Sequence, residues 1–236
     1  DFSYAIDKTQ SHGYNVLEVT EETDHYRIKT SKVYVVVQKH DCRVGIYELD
    51  GTAILEDEIG FHWEECYEYG GNIVKMSKAS HDGESFYGLG DKPTNFNLKG
   101  KRVENWATDQ YAFAKDQEPL YKVVPFYIGL HHNKAYGIFF DNTFRSFFDF
   151  SHERKGVTSF WADGGEMNYY FIYGPMMSDV VTTYTHLTGK PELPPLWTLG
   201  YQQCKWSYYP ESKVKEITGR SEEHTSELQS RQCISY

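Results

Sequence analysis

The sequence predicts a mainly β chain, an antiparallel β-sandwich followed by the start of an α/β unit. Ten short β-like runs follow one another up to about Phe171 without intervening helical periodicity. This pattern favours antiparallel sheets over a parallel sheet with crossover helices. Aromatic residues make up 17% of the 236 residues, and flat rings pack well on pleated surfaces. The periodicity changes near residue 178, and a proline-rich segment follows.

The predicted strands are short, and turn residues such as Asp50-Gly51, Asp82-Gly83 and Gly164-Gly165 separate many of them. Short β-forming runs bounded by such residues are typical of hairpins and meanders. The predicted strands are Tyr14–Val19, His25–Thr30, Val33–Gln38, Arg43–Leu49, Ile73–Ser77, Val124–Leu130, Ala135–Phe140, Phe144–Phe150, Thr158–Ala162 and Asn168–Phe171.

One amphipathic helix is predicted after the strands. Val180, Val181, Tyr184 and Leu187 recur at the spacing of one helix face, which indicates a helix packed against the sandwich. Ser178 is the expected N-cap and Gly189 the expected stop. The segment KPELPP at 190–195 cannot enter a central strand or a helix interior, because proline lacks the backbone donor. The first domain is therefore predicted to cover residues 1–190.

A βα unit is predicted beyond this linker. Leu196–Gln202 has the composition of a buried strand, and Glu211–Thr218 begins a helical pattern. A strand pattern followed by a helical pattern is typical of a βα unit. The two elements predict a second domain that starts at residue 191 and extends to Gly219.

Residues 220–236 have a different character. Arg220 to Ser230 reads RSEEHTSELQS, which resembles the translation of a widely used DNA sequencing adapter, and Ile234–Tyr236 resembles its continuation. We therefore expect a non-native tail with no function, and a natural protein that continues past Gly219 with other residues. The alternative is an ordinary polar helix.

Composition narrows the classes of partner. The formal net charge is -10, and no Lys/Arg cluster is present, so a nucleic-acid partner is not expected. The four cysteines show no C-x-x-C pair, which argues against a zinc site of that kind. No apolar run approaches the ~18 residues of a membrane span, and the first residues lack a signal-peptide pattern. These features do not indicate a cellular compartment.

Several motifs occur in a fixed order along the chain. They are Phe86-Tyr87-Gly88-Leu89-Gly90-Asp91, Trp106-Ala107-Thr108-Asp109, Pro125-Phe126-Tyr127-Ile128, Gly165 to Phe171 (GEMNYYF), Leu187 to Pro191 (LTGKP) and Pro194 to Tyr201 (PPLWTLGY). As an ordered set covering about residues 15 to 219, they resemble the amino-terminal part of family 31 glycoside hydrolases, of the α-glucosidase type. The glycine segment has no third glycine and no following helix pattern, so it does not fit a dinucleotide fingerprint.

The resemblance implies a galactose-mutarotase-like sandwich over residues 1–190 and the truncated start of a (β/α)8 barrel over 191–219. It also implies a retaining mechanism, in which one carboxylate attacks the anomeric carbon and a second protonates the leaving oxygen. The family's nucleophile motif, Trp-x-Asp-Met-Asn-Glu, does not occur here. We therefore expect no catalytic residue, no metal and no cofactor in this chain, which by itself should be inactive without the remainder of its barrel.

Two residues match substrate-binding positions of the family. Asp109 corresponds to an aspartate on a sandwich loop that reaches over the barrel mouth, where its carboxylate can accept two directed hydrogen bonds from sugar hydroxyls. Trp206 corresponds to an aromatic at the end of the first barrel strand, and barrel active sites form at such strand ends. A solvated loop aspartate and a core-packing tryptophan are the structural alternatives.

Other polar residues are interpreted as structural. Asp91 is expected to anchor a loop, and Trp106 to shape the loop that carries Asp109 or simply to pack. The pair His131-His132 is expected to be a poor metal chelate, because adjacent side chains on extended backbone point to opposite faces. Residues Asp141-Asn142 and Asp163-Gly164 are expected to be turns that bond their own backbone. Glu166 is expected at the edge of a sandwich strand.

Two functions follow from these observations. The first is a fragment of a retaining α-glucosidase that hydrolyses terminal α-linked glucose from oligosaccharides. The second is a non-catalytic carbohydrate-binding or interaction module in which the sandwich acts alone. An aldose epimerase on the same sandwich is a third reading, but the segment Pro194 to Tyr201 has no place in one. The residues do not distinguish a hydrolase from a lyase or transferase of the family.

Overall fold

The computed structural model describes residues 3–7, 9, 16–68, 70–200, 202 and 208–224, with only the backbone for residues 221–224. The chain divides into two compact units, residues 1–189 and residues 190–236. The described residues of the first unit form strands and one helix. Its strands are β1 Val16–Glu21, β2 His25–Thr30, β3 Val33–Gln38, β4 Val44–Glu48, β5 Ala53–Glu65, β6 Asn72–Ala79, β7 Ser85–Gly90, β8 Arg102–Asn105, β9 Val123–His131, β10 Lys134–Phe140, β11 Ser146–Phe150, β12 Val157–Ala162 and β13 Tyr169–Tyr173.

These strands form two antiparallel sheets. The nine-stranded sheet has the order β1-β2-β3-β4-β5-β6-β12-β11-β8, and the four-stranded sheet has the order β13-β10-β9-β7. Neighbouring strands are largely joined as hairpins, as in the pair β9 and β10, where His131 faces Lys134 across a two-residue turn. The predicted mainly β, antiparallel fold is confirmed.

The core between the sheets is rich in aromatic rings. Phe86 and Tyr127 of the four-stranded sheet and Phe148, Phe150 and Phe160 of the nine-stranded sheet have no exposed surface. Phe86 stacks on Phe150 with ring centroids 4.6 Å apart, and Tyr127 meets Phe150 edge-on at 5.1 Å. Burying one such side chain stabilises the fold by ~1.5–3 kcal/mol, so these rings hold the two sheets face to face.

Three strands were not among the predicted ones, namely β5, β7 and β8. The other ten occur as predicted with shifts of at most a few residues, and His25–Thr30 and Val33–Gln38 have the predicted bounds. The first two residues of the predicted run Tyr14–Val19 lie outside the described residues. The segment Phe86 to Gly90 of the first motif is part of strand β7.

Helix α1, Met177–Thr188, packs on the four-stranded sheet. Val180 is fully buried against Phe126, Phe139 and other residues of that sheet, and the Tyr184 ring stacks on Phe126 with centroids 3.9 Å apart. The predicted N-cap, Ser178, is wrong. The helix begins at Met177, where the backbone N–H of Met176 is 3.4 Å from the Asp179 carboxylate, so an acidic residue in the first turn serves the helix end instead.

Gly189 ends helix α1 as predicted. Its φ of +85° lies in the region that glycine adopts at no steric cost. The two compact units divide between residues 189 and 190, so the chain changes unit where the helix stops.

The second unit contains a 3₁₀ turn, Leu196–Leu199, and helix α2, Glu211–His224. The predicted strand Leu196–Gln202 is wrong: the 3₁₀ turn replaces it, and Leu196 and Leu199 are exposed. A strand needs a neighbour for its N–H and C=O groups, and the described residues of 190–236 include no other strand. Helix α2 begins at Glu211 as predicted. Among the described residues, no helix is long and apolar enough to cross a bilayer.

Candidate functional site

The loop between β8 and β9 carries Asp109, the first residue predicted to contact substrate. Asp109 is exposed on an irregular stretch. Among the described residues its carboxylate makes no hydrogen bond or ion pair, whereas other acids of the same loop are engaged. Both oxygens of Asp109 are therefore open to hydroxyl donors from outside the sandwich.

A groove of about 960 Å³ lies beside this part of the loop. Trp106 and Thr108 line one part of it, and Phe144, Arg145 and Asp163 line another. The Trp106 and Phe144 side chains are both about half exposed, at 49% and 52%. The exposed rings and the Asp163 carboxyl of this groove offer apolar faces and a polar edge in one place, which suits a ligand with C–H faces and hydroxyl edges.

The far end of the loop is fixed by its acidic residues. The Asp116 carboxylate accepts a hydrogen bond from Thr94 and pairs with Lys101 at 3.0 Å. Its backbone N–H donates to the Pro93 carbonyl at 2.8 Å. Thr94 and Lys101 hold the pKa of Asp116 below its usual value. The loop is thus tied down after Asp109, and Asp109 stands on a supported segment.

A second acid of the loop, Glu118, is tied into a partly buried charge network. Its carboxylate accepts a hydrogen bond from the Glu104 backbone N–H at 2.7 Å and lies 3.8 Å from the Lys92 ammonium. Burial raises the pKa of Glu118 and lowers the pKa of Lys92. Glu104 in turn accepts a hydrogen bond from Arg145 Nε at 2.8 Å. Two acids with their oxygens engaged in this way hold the loop and are not free to attack a sugar.

The opposite wall of the groove is held by Asn142. The Asn142 side-chain amide donates to the backbone carbonyls of Gly164 and Glu166 at 2.9 and 3.0 Å, and its oxygen accepts from the Phe144 backbone N–H at 2.8 Å. The last bond is the expected Asx turn. A Cβ added at Gly164 would lie 2.7 Å from the Phe144 ring, so a larger residue there would displace that ring.

Asp163 departs from its prediction. Among the described contacts its carboxyl bonds no backbone group of its own turn, and it lines the groove instead. Burial raises the pKa of Asp163, and the Arg145 guanidinium opposes that shift. Glu166 is exposed and lies three residues before β13, so it precedes the strand and does not stand at its edge.

Strand β7 supports the start of the next connection through its glycines. Gly88 and Gly90 have φ of +129° and +83°. A Cβ at Gly90 would lie 2.1 Å from the Lys122 carbonyl oxygen. Asp91 then pairs with the Lys122 ammonium at 3.3 Å and donates its backbone N–H to the Lys122 carbonyl at 3.2 Å. These contacts agree with a loop-anchoring Asp91.

The expectation for His131-His132 is wrong in its geometry. His132 has a φ of +48°, so the backbone turns there and is not extended. The two Nδ1 atoms lie 3.1 Å apart, and the two side chains converge. His81 joins them, and its ring stacks on that of His131 with centroids 3.9 Å apart.

The structure places only one of the two predicted substrate contacts. Trp206 lies outside the described residues, and its role stays a prediction. Residues that the sequence did not single out, Phe144 and Arg145 together with Asp163 in a new role, complete the groove. Their only sequence signal is their position in or beside the predicted turns that Asn142 joins.

The sequence matches two domain families in order. Residues 1–149 match the glycosyl hydrolase 31 N-terminal galactose mutarotase-like domain, and residues 191–230 match the glycosyl hydrolases family 31 TIM-barrel domain. Alpha-glucosidase 2 of Bacillus thermoamyloliquefaciens is 36% identical over 201 residues, which is 84% of this chain and 25% of that protein. An alpha-glucosidase of Saccharolobus solfataricus is 37% identical over 147 residues, 62% of this chain and 21% of that protein.

Among solved structures, a GH31 dextranase of Flavobacterium johnsoniae in complex with isomaltotriose has a TM-score of 0.84 and 32% sequence identity. The match covers 95% of this chain and 27% of the dextranase chain. The chain thus spans about a quarter of the length of the two alpha-glucosidases it matches.

Proposed function

Because the chain belongs to glycosyl hydrolase family 31, we propose that it is the N-terminal sandwich and barrel start of a retaining α-glucosidase acting on terminal α-linked glucose of oligosaccharides. The observation that supports this most is the order of the two family matches, residues 1–149 followed by 191–230. The identity of 36% to an alpha-glucosidase over 84% of this chain points to the same substrate class.

The proposed contribution of this chain is substrate positioning. Asp109 would accept hydrogen bonds from sugar hydroxyls, and charge-assisted bonds of this type are about twice as strong as neutral ones. The anchoring of the loop at Asp116 and Glu118 supports this role, because a held carboxylate loses little freedom when the sugar binds. Trp206 is proposed to border the same subsite.

The bond cleavage is assigned to carboxylates other than Glu104 and Glu118, the two acids whose oxygens are engaged beside the loop. Double displacement uses two carboxyl groups about 5–5.5 Å apart, one free to attack and one protonated. Glu104 is engaged by Arg145, and Glu118 by Glu104 and Lys92. The purified 236-residue chain should therefore show no hydrolysis of an aryl α-glucoside above a buffer blank.

A chimera tests the proposal. Residues 1–219 of this chain replace the aligned segment of the alpha-glucosidase 2 of Bacillus thermoamyloliquefaciens, which supplies the rest of the barrel. We expect the chimera to hydrolyse an aryl α-glucoside and to release α-glucose, the retained anomer, first. A chimera that folds, as judged by circular dichroism and a cooperative melt, but turns over no α-glucoside contradicts the proposal.

The groove favours a second candidate, sugar binding by the sandwich itself. Its volume of about 960 Å³ and the half-exposed rings of Trp106 and Phe144 suit a short oligosaccharide. Calorimetric titration of the 236-residue chain with maltotriose or isomaltotriose tests this function. Saturable binding lost in Trp106→Ala and kept in Trp63→Ala, an exposed tryptophan of β5, would support it. If no binding is observed, sugar binding by the sandwich itself is rejected and only the first proposal remains.

A further inference from the structure

Three histidines gather at one end of the sandwich, and none of them lines the groove. His81 lies in the turn between β6 and β7, His131 ends β9, and His132 begins the two-residue turn to β10. Each offers a ring nitrogen, and the three nitrogens lie within 4.8 Å of one another. His131 is buried, His81 is half-buried and His132 is exposed, so the cluster opens to solvent on one side.

Hydrogen bonds to one carbonyl orient two of these rings. Nε2 of His131 lies 2.9 Å from the Ile54 carbonyl oxygen, and Nε2 of His81 lies 3.3 Å from the same atom. A carbonyl oxygen only accepts, so each Nε2 carries the proton and each Nδ1 keeps its lone pair. A histidine that donates its far nitrogen to a backbone carbonyl in this way is the usual arrangement of a metal ligand.

The third ring completes the arrangement. Nδ1 of His132 lies 3.1 Å from Nδ1 of His131. Zn–N bonds of ~2.0–2.1 Å in tetrahedral geometry place ligand nitrogens ~3.3–3.4 Å apart, so this pair has close to the required spacing. His81 would have to tilt out of its stack on His131, which its half-buried position on a turn permits.

The groups around the three histidines favour the binding of a cation. His131 is buried among the other two rings, and its hydrogen bond to Ile54 leaves Nδ1 as the nitrogen that can bind an ion. The buried Glu84 carboxylate lies next to the cluster and accepts hydrogen bonds from Tyr136, from Ser80 and from the His81 backbone N–H. With its oxygens engaged, Glu84 supplies negative charge nearby without being a ligand.

We propose that His81, His131 and His132 bind a divalent transition-metal ion, with Zn²⁺ as the best fit, through their three ring nitrogens and a water molecule. Imidazole nitrogens suit zinc and its neighbours and do not suit Ca²⁺ or Mg²⁺, which take oxygen ligands. The ion would join the β6–β7 turn to the β9–β10 hairpin. Because His131 also bonds Ile54 of the other sheet, the bound ion would hold the two sheets together at this end of the sandwich. The proposal is independent of the glycosidase assignment.

Metal titration of the full chain tests this site. The chain is prepared without a polyhistidine tag, stripped with a chelator, and titrated with Zn²⁺ against a chromophoric competitor. We expect one equivalent to bind and the melting temperature to rise, with no such effect of Ca²⁺ or Mg²⁺. Replacement of one ligand, in His132→Asn or His81→Gln, should weaken binding by at least about 100-fold. His40→Asn, an exposed histidine outside the cluster, should bind as the unmodified chain does.

Two features keep the outcome decisive. Asparagine tolerates the positive φ of His132, and melting of the metal-free variants shows that they fold, so a loss of binding is a loss of ligand. Co²⁺ substitution reveals any cysteine ligand through thiolate charge-transfer absorption. The proposal would be overturned if Zn²⁺ did not bind stoichiometrically, or if both histidine variants bound it as tightly as the unmodified chain. A thiolate spectrum that persists in these variants would overturn it as well.

Discussion

Lys78 and Asp57 form an ion pair inside the sandwich, with the Lys78 ammonium 2.5 Å from the Asp57 carboxylate and no more than 1% of either side chain exposed. They face each other across β5 and β6. The second Asp57 oxygen accepts a hydrogen bond from the Val44 backbone N–H at 2.9 Å, and Lys78 also lies 3.2 Å from the Tyr169 hydroxyl. One acid thus links three neighbouring strands, and the lysine reaches toward the opposite sheet.

Breaking this pair should destabilise the sandwich strongly. We expect Lys78→Met to lower the free energy of unfolding by about 3–5 kcal/mol, because it leaves the Asp57 charge buried and unpaired. Adding Asp57→Asn, which still accepts the Val44 bond, should restore a large part of that loss. Urea denaturation of the unmodified chain, the Lys78→Met variant and the double variant measures this. The exposed pair of Lys122 and Asp91 is the control, and Lys122→Met should cost no more than about 1 kcal/mol. Equal losses in the two lysine variants would refute the expectation.

Strand β7 should require glycine at position 90. Gly90→Ala places a Cβ 2.1 Å from the Lys122 carbonyl at a φ of +83°. Gly83→Ala has a similar φ of +73° with no atom within 4 Å. The control should therefore lose about 1–2 kcal/mol for the backbone conformation alone, and Gly90→Ala should lose clearly more. The two melting curves give the comparison, and similar losses would show that the backbone yields at Lys122.

Two acids of the Asp109 loop should contribute to the stability of the fold with opposite dependences on pH. Burial raises the pKa of Glu118 above its ordinary 4.5. Its contribution is therefore complete below that pH and is lost as pH rises through the raised value. The pKa of Asp116 is held below its ordinary 3.8, first by Thr94 and then by Lys101. That contribution is present above 3.8 and is lost as pH falls.

Isosteric variants separate these two effects. We expect Glu118→Gln to gain stability relative to the unmodified chain as pH rises from acidic to neutral, since the uncharged amide avoids burying a charge. Asp116→Asn should lose stability relative to it over the same range. Urea denaturation at several pH values provides the data. If stability changed with pH in the same way in both variants, burial would not be what sets the pKa of Glu118.

Most of the sandwich was predictable because its strands follow local rules, but β5 was not. In the sequence AILEDEIGFHWEE, Asp57 lies in the interior, with 7% of the whole residue exposed, main chain included. Ile59 lies on the surface and is 45% exposed. The partner register shifts between Asp57 and Ile59, so the bulge reverses the faces. An acid neutralised by a lysine from the next strand cannot be recognised as a core residue from hydropathy alone.

The groove was predictable only in part, for a related reason. The Trp106 and Asp109 positions follow from a motif, whereas Phe144 and Asp163 meet through turns far apart in the chain. The convergence of His131 and His132 depended on the positive φ of His132, which a histidine tolerates but does not by itself predict. Long-range contacts and unusual backbone angles carry no local pattern.

The most direct test of the central claim, that Asp109 holds the substrate sugar, is the catalytic efficiency of the chimera with Asp109→Asn. Asparagine turns one acceptor into a donor and leaves the other uncharged, so one charge-assisted hydrogen bond of ~1.5–3 kcal/mol is lost and the second is weakened. This predicts a loss of at least about 10-fold in kcat/KM on an aryl α-glucoside, with an unchanged melting temperature. Asp82→Asn, an exposed turn aspartate, is the control and should retain full efficiency. If the Asp109→Asn chimera cleaves the glucoside as efficiently as the unsubstituted chimera, the loop does not bind the sugar and the claim is contradicted.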